Sequence, residues 1–176
     1  MSAFRNAIVF GASTGIGAEL VRNLAKSGVK VAAIARRKSL LDQLATEFPD
    51  SVLPVVLDVT ASSDASQVLS DICERLGGCD LYIYCAGIMP RVGKDEYPTT
   101  SDLESIDVNF TSAVRWLNAV ALRCQSLKSG TIVGISSVAG VMLSTIVQGL
   151  ISCCFSQLAK AGDFCSAKAI KAALSL

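Results

Sequence analysis

The chain has 176 residues, of which 51% are hydrophobic, and its charged residues leave a formal net charge of +1. This composition favours one folded domain with a substantial core, and the near-neutral charge argues against nucleic acid or an anionic membrane surface as a partner. The sequence contains no histidine, which removes the commonest general base and metal ligand, so we expect no metal site.

Cysteine usage and the amino-terminal segment bear on the cellular compartment. The seven cysteines show no C-x-x-C spacing, and no apolar signal region precedes the first apolar run. Thiols of this kind, without a secretory signal, are typical of a reduced intracellular protein. We therefore expect an intracellular, cytoplasmic protein.

Strand and helix patterns alternate along the chain. Continuous apolar runs predict strands buried on both faces of a sheet, and amphipathic stretches predict helices between them. The predicted strands cover residues 7–11, 29–35, 52–59, 81–85 and 131–136, and the predicted helices cover residues 15–26, 39–48, 62 or 63 to 76, and 103–125. Such βα units imply an α/β fold with a doubly wound parallel sheet of order 3-2-1-4-5. Its ligand crevice lies where the order reverses.

The turn after the first predicted strand has three glycines in the pattern G-x-x-x-G-x-G. Its residues are Gly11, Ser13, Thr14, Gly15, Ile16 and Gly17. Glycine suits a positive φ or a close approach of backbone to a ligand. The helix that follows directs free N–H groups and a positive dipole end at this turn, which suits a pyrophosphate. A tight turn without a ligand is the alternative. The variant resembles that of the short-chain dehydrogenase/reductase family, which implies a Rossmann fold.

The residues after the second predicted strand indicate the type of cofactor. An NAD-selective site usually has an acidic residue here that accepts hydrogen bonds from the ribose 2′-hydroxyl. This chain has Ala35 at that position, followed by Arg36 and Arg37. Guanidinium groups bind phosphates through paired, charge-assisted bonds, so we expect NADP(H). A solvated basic pair is the alternative.

Further residues at the strand ends match the family. The resemblance implies that Asp58, with Val59 beside it, binds the adenine amino group, although an aspartate capping the following turn is an alternative. It also implies that Ala86 and Gly87 let the cofactor approach the backbone. Cys85 departs from the family, which usually has asparagine there, and a thiol cannot make the bonds of an amide.

The resemblance also implies catalytic residues. Asn109, a poor residue for mid-helix, would distort the long helix and hold a water of the proton relay, unless it simply lies on an exposed face. Ser137 matches the serine that bonds the substrate carbonyl. The family needs a tyrosine followed four residues later by lysine, and the only echo after Ser137 is Phe164 with Lys168, which starts 27 residues after Ser137. Phenylalanine has no hydroxyl, so only Lys168 remains a candidate.

The resemblance ends near residue 140. We assign residues 1–140 to a Rossmann NAD(P)-binding domain and residues 141–176 to an atypical tail of the same domain. We expect no sixth or seventh strand, which leaves strand five as an open edge. Residues 141–159 are uncharged, and a helix over 144–159 could cover one face of the sheet. A buried or poorly ordered segment, an interaction surface for a homo-oligomer, a membrane span and a product of a shifted frame or retained intron are the alternatives.

Three functions follow from these residues. The first is an NADP(H)-dependent oxidoreductase that interconverts a small-molecule carbonyl and alcohol, as the family does. The second is a catalytically dead NADP(H)-binding protein, which the missing tyrosine favours. The third is a truncated product that does not fold stably.

Overall fold

A computed structural model of the chain describes residues 3–61, 64–91, 93, 98–137 and 166–172. Within these ranges six parallel strands form one sheet of order β3-β2-β1-β4-β5-β6. The strands are Asn6–Phe10 (β1), Lys30–Ala35 (β2), Val52–Val56 (β3), Leu81–Tyr84 (β4), Thr131–Ser137 (β5) and Ser166–Ala172 (β6). The helices are Gly15–Lys26 (α1), Lys38–Glu47 (α2), Ala65–Leu76 (α3), Thr99–Ile106 (α4) and Ser112–Leu127 (α5), with a π-helical segment at Asp107–Thr111. The predicted order of the first five strands is confirmed.

Two apolar cores lie on opposite faces of the sheet. Along β1, Ile8 and Phe10 belong to the core under α3 and α5, whereas Ala7 and Val9 belong to the core under α1 and α2. All four side chains are buried. A strand covered on both faces has no polar side, which explains why β1 and β2 appear in the sequence as continuous apolar runs.

Helix α3 begins later than the sequence predicts. The start at Ser62 or Ser63 is wrong, because the helix begins at Ala65 and Asp64 is its N-cap. The Asp64 carboxylate accepts hydrogen bonds from the backbone N–H groups of Ser66 (2.9 Å) and Gln67 (3.2 Å). Both serine and aspartate are good N-caps, so composition alone could not choose between them.

The prediction of a single regular helix over residues 103–125 is wrong. The helix is divided into α4, the π-helical segment and α5, and it spans residues 99–127. A π turn inserts one extra residue and so rotates the apolar face of everything beyond it. Leu117 and Val120 are buried as expected, but Ile106, before the π turn, is 54% exposed.

The prediction that the sheet lacks a sixth strand is wrong. Strand β6 pairs in parallel with β5 along its whole length, from Thr131 opposite Ser166 to Ser137 opposite Ala172. The edge of β5 is therefore covered. The helix predicted over 144–159 lies outside the described residues, as does Phe164. No helix in the described ranges has the length and apolar character needed to cross a bilayer.

Candidate functional site

The turn between β1 and α1 needs each of its three glycines. Gly11 has a φ of +86°, and a Cβ there would lie 2.6 Å from the Ala86 backbone. Gly15, the first residue of α1, has a φ of +56°. A Cβ on Gly17 would collide with the Gly11 carbonyl oxygen. The glycines thus allow a left-handed backbone and bring α1 and the residues after β4 against the turn.

The amino terminus of α1 has no side-chain cap. Thr14 occupies the N-cap position, but its side chain makes no capping bond. Instead, Arg37 Nη2 donates to Thr14 Oγ1 (2.7 Å) and to Ser13 Oγ (2.9 Å). The N–H groups of the first turn therefore lack a side-chain acceptor, and a guanidinium stands beside them. Free N–H groups, the helix dipole and a cation together favour an anionic ligand.

Arg36 and Asp58 lie at the ends of neighbouring strands β2 and β3. Arg36 Nη1 is 3.9 Å from Asp58 Oδ2, and their side chains are 54% and 41% exposed. Asp58 Oδ1 also accepts from the N–H and hydroxyl of Thr60. These bonds, the backbone one most, lower the pKa of Asp58 against the opposing effect of burial, and Arg36 adds a smaller lowering. Asp58 does brace the turn after it, and it also faces the crevice.

The Cys85 thiol bonds the backbone of β1. Its Sγ donates to the Phe10 carbonyl oxygen at 2.9 Å, across from β4 to β1. Burial raises the pKa of the thiol to about 12, so it stays protonated and remains a donor at neutral pH. The expectation that a thiol cannot replace the amide is thus only partly met, because one donor is retained.

Asn109 lies in the π-helical segment, where the resemblance implied a distorted helix. Asn109 is exposed, yet both its amide oxygen and its amide nitrogen bond the backbone of Ile88, just beyond β4. Oδ1 accepts from the Ile88 N–H at 2.7 Å, and Nδ2 donates to the Ile88 carbonyl at 2.8 Å. A Cβ on Gly87 would lie 3.3 Å from Asn109 Oδ1. The π-helical segment therefore holds one wall of the crevice in position.

A cleft of about 210 Å³ opens at the carboxyl edge of the sheet, on the line between β1 and β4. It is lined by Gly11, Ser13, Thr14, Ala35, Arg36, Arg37, Leu57, Asp58, Val59, Ala86, Gly87, Ile88 and Val108. The cleft brings together all the predicted cofactor residues except Gly15, Ile16 and Gly17, which belong to the first turn of α1. Sequence reasoning missed Leu57, Ile88 and Val108 as lining residues. Each is next to a residue that it did name.

The predicted catalytic residues Ser137 and Lys168 lie at different heights along the strands of the sheet. Ser137 is the last residue of β5, at the edge where the cleft opens. Lys168 lies in β6 opposite Val133, four residues earlier along β5. At about 3.3 Å per residue, the two positions differ by roughly 13 Å along the strands. Asn109 is next to the cleft through Ile88.

The tyrosines of β4 are bonded within the core. The hydroxyl of Tyr84 donates to the Val108 carbonyl (3.3 Å), and that of Tyr82 donates to the Cys79 carbonyl (3.2 Å). Burial, the largest cause in each case, raises the pKa of both hydroxyls. Neither tyrosine is among the residues that line the cleft. Tyr97 lies outside the described residues.

Comparison with known proteins finds a family profile and several relatives that match most of the chain. A family profile described as short chain dehydrogenase matches residues 5–148. An uncharacterized oxidoreductase of Myxococcus xanthus is 36% identical over 141 residues, which are 78% of this chain and 56% of that protein. The farnesol dehydrogenase of Aedes aegypti is 33% identical over 142 residues, which are 76% of this chain and 57% of that protein. The chain thus spans less than two thirds of these relatives' length.

Solved structures share the fold. A short-chain dehydrogenase from Streptomyces avermitilis superposes with a TM-score of 0.84 at 23% identity, covering 97% of this chain and 66% of that one. ElxO, solved with NADP bound, superposes with a TM-score of 0.80 at 20% identity, covering 97% of this chain and 74% of that one.

Proposed function

Given that this chain belongs to the short-chain dehydrogenase/reductase family, we propose that its cleft binds NADP(H). We also propose that the protein is an oxidoreductase that interconverts a small-molecule carbonyl and the corresponding alcohol. The observation that carries it is the pair Arg36 and Arg37 on the lining of the cleft, next to the uncapped amino terminus of α1. One cationic group and one set of free N–H groups suit the two phosphate positions of such a cofactor.

The chemistry of the donor set fits the cofactor along the whole cleft. The first turn of α1 offers N–H groups to a pyrophosphate, and a Cβ on Gly15 would meet nothing within 4 Å, so there is open space beside that turn. Asp58 and Val59 lie on the side of β3, where the adenine is expected. Ala86, Gly87 and Ile88 form the opposite wall, where small residues let a flat ring approach the backbone.

Arg36 is the residue we assign to the 2′-phosphate. Its guanidinium is half exposed and its contact with Asp58 is long, so little interaction energy opposes its transfer to a phosphate. Arg37 has a second task, because it already bonds Ser13 and Thr14 and so fixes the turn at the pyrophosphate position. The two arginines should therefore affect cofactor binding in different ways.

The reaction class is proposed from the relatives. When bound, a nicotinamide cofactor supplies or accepts a hydride. The farnesol dehydrogenase of Aedes aegypti is named for an alcohol substrate, which supports a carbonyl–alcohol pair for this chain. Ser137 at the end of β5 would orient the substrate carbonyl, and Asn109 beside the cleft would hold a water of the proton relay.

A second candidate is cofactor binding without turnover. No tyrosine follows Ser137 in the sequence, and no histidine is present to replace it. Lys168, the one lysine of a Y-x-x-x-K echo, lies in β6 at the level of Val133 rather than of Ser137. These observations favour a chain that holds NADP(H) and lacks the group that would exchange a proton with the substrate oxygen.

The test is a fluorescence titration of NADPH and NADH. Wild type should bind NADPH more tightly, and Arg36→Ala should remove about 1.5–3 kcal/mol of that preference, roughly ten- to a hundredfold in affinity. Arg37→Ala should weaken both cofactors, because it also releases Ser13 and Thr14. Lys38→Ala is the matched control, since Lys38 pairs with Asp42 on the exposed face of α2. Equal affinities of wild type for the two cofactors would contradict the proposal.

A further inference from the structure

Helix α5 contacts the loop that carries Asp58 and Val59. Arg115 Nη1 lies 3.3 Å from the Val59 carbonyl oxygen, 3.2 Å from that of Thr60 and 3.5 Å from that of Ala61. Three successive carbonyl oxygens thus converge on one guanidinium nitrogen. Carbonyl dipoles that point at the same position repel one another, and a cation between them removes that cost.

Trp116, the next residue of α5, adds a bond to the same loop. Its Nε1 donates to the Val59 carbonyl oxygen at 2.9 Å. The indole is fully buried and packs 5.2 Å from the Phe10 ring, centroid to centroid. A buried ring in contact with a sheet strand cannot move far, so it fixes the point at which the loop is held.

The other described hydrogen bonds of the loop do not involve the carbonyl oxygens of residues 59–61. Leu57 N–H donates to the Ala35 carbonyl, and Ala61 N–H donates to the Asp58 carbonyl. The Asp58 carboxylate takes the N–H and hydroxyl of Thr60. The N–H groups of Leu57, Thr60 and Ala61 thus donate within the loop or to β2. The described donors to the carbonyls of residues 59–61 come from α5.

We infer that Arg115 is a positioning residue of the cofactor site, acting with Trp116 through the backbone of residues 59–61. It holds the loop so that Asp58 and Val59 face the adenine end of the cleft. The inference rests on the proposed binding of NADP(H) and extends it. The same continuous segment also holds the opposite wall through Asn109 and Ile88, so the π-helical segment and α5 together set the width of the cleft.

The experiment measures loop order and binding separately. Hydrogen exchange of the Thr60 and Ala61 amides is followed in the cofactor-free protein, and adenosine 2′,5′-bisphosphate is titrated as a probe of the adenine end. Arg115→Met should speed exchange at both amides and weaken the probe roughly tenfold, since a charged donor to several acceptors is lost. Arg115→Lys should restore most of the affinity, because an ammonium also donates to carbonyls.

Arg123→Met is the matched control. Arg123 is on the same helix two turns later and contacts Ser70 of α3 instead of the loop, so its loss should change neither readout. Unchanged exchange and unchanged affinity in Arg115→Met, with a wild type that binds the probe, would overturn this inference alone. A melting temperature that falls in parallel with affinity and is not rescued by lysine would assign Arg115 to general stability and overturn it as well. A wild type that does not bind the probe overturns the proposed function.

Discussion

The loops after β1 to β4 and the strands β5 and β6 meet at one edge of the sheet, but they are built differently. The loops are cross-bonded to one another, as Arg37 with Thr14, Cys85 with Phe10 and Asn109 with Ile88 illustrate. Beyond them, Ser137 and Lys168 lie at different levels of paired strands. The first region holds the residues that we propose for a dinucleotide, whereas no tyrosine follows Ser137 in the sequence to act with the second. Binding a cofactor and moving a proton are separate requirements, and we propose that this chain meets them unequally.

The largest effect that we expect from the difference between the two regions is on the rate of NADPH oxidation. We expect negligible oxidation of NADPH over a panel of aldehydes, ketones and quinones, even where NADPH binds. General acid catalysis contributes ~10²–10⁴-fold, and neither β4 tyrosine, bonded to the backbone in the core, can supply the proton. The measurement is the loss of absorbance of NADPH with time. Robust turnover that disappears in Ser137→Ala would contradict the prediction and point to another proton donor.

The second prediction concerns the close approach of the backbone after β1 to the backbone after β4. Gly11→Ala should lower the free energy of unfolding by about 2–4 kcal/mol, because the new methyl meets the Ala86 backbone and the backbone is left-handed. Gly28→Ala is the matched control, since Gly28 has a φ of +81° with nothing within 4 Å of its Cβ position. It should cost about 1 kcal/mol from conformation alone. Urea unfolding measures both, and equal losses would remove the steric part of the argument.

Sequence reasoning reached the cofactor region because each of its landmarks has a local signal. Three glycines within seven residues, an arginine pair after an apolar run and an aspartate at a strand end can all be seen within short windows. The contact of Arg115 with the loop after β3 has no such signal, because its partners lie 54–56 residues away in the sequence. The π turn had a signal only in the resemblance, which implied that Asn109 distorts the long helix, because the apolar pattern of residues 103–125 was interpreted as one regular helix.

Strand β6 was missed for a different reason. Its sequence, from Ser166 to Ala172, consists of serine, alanine and lysine around one isoleucine, and these residues except isoleucine are uncommon in strands. Backbone pairing with β5, rather than strand propensity, therefore accounts for the extended conformation of β6.

The third prediction uses the thiol that joins β4 to β1. Because burial raises the pKa of Cys85 from its usual value near 9 to about 12, the folded state keeps a proton that the unfolded state loses between these values. The free energy of unfolding should therefore fall as the pH rises from about 9 to 12, by up to ~1.4 kcal/mol per unit from this group. Cys85→Ser keeps a donor for the Phe10 carbonyl and removes that slope.

The comparison of wild type with Cys85→Ser isolates the contribution of this thiol, since the other cysteines and tyrosines titrate in both proteins. The readout is urea unfolding at intervals between pH 8 and pH 11. Parallel curves for the two proteins would show that the Cys85 thiol is not held protonated by the fold.

The smallest effect is expected at Asp58, where the crevice is most exposed. Its lowered pKa means that the ionised form is favoured in the folded state, mainly by the Thr60 backbone bond. That contribution is present above the usual pKa of aspartate and is lost as the pH falls through the lowered value.

Asp58→Asn keeps an oxygen for the Thr60 N–H and removes the charge near Arg36. Because the carboxylate is 41% exposed, the cost at pH 7 should stay below about 1 kcal/mol. Urea unfolding of both proteins at pH 7 and pH 3 should show a difference that shrinks at the lower pH. A difference that grows at pH 3 would show that the fold disfavours the ionised carboxylate. The assignment of Asp58 as a charge that holds its loop in place would then be wrong.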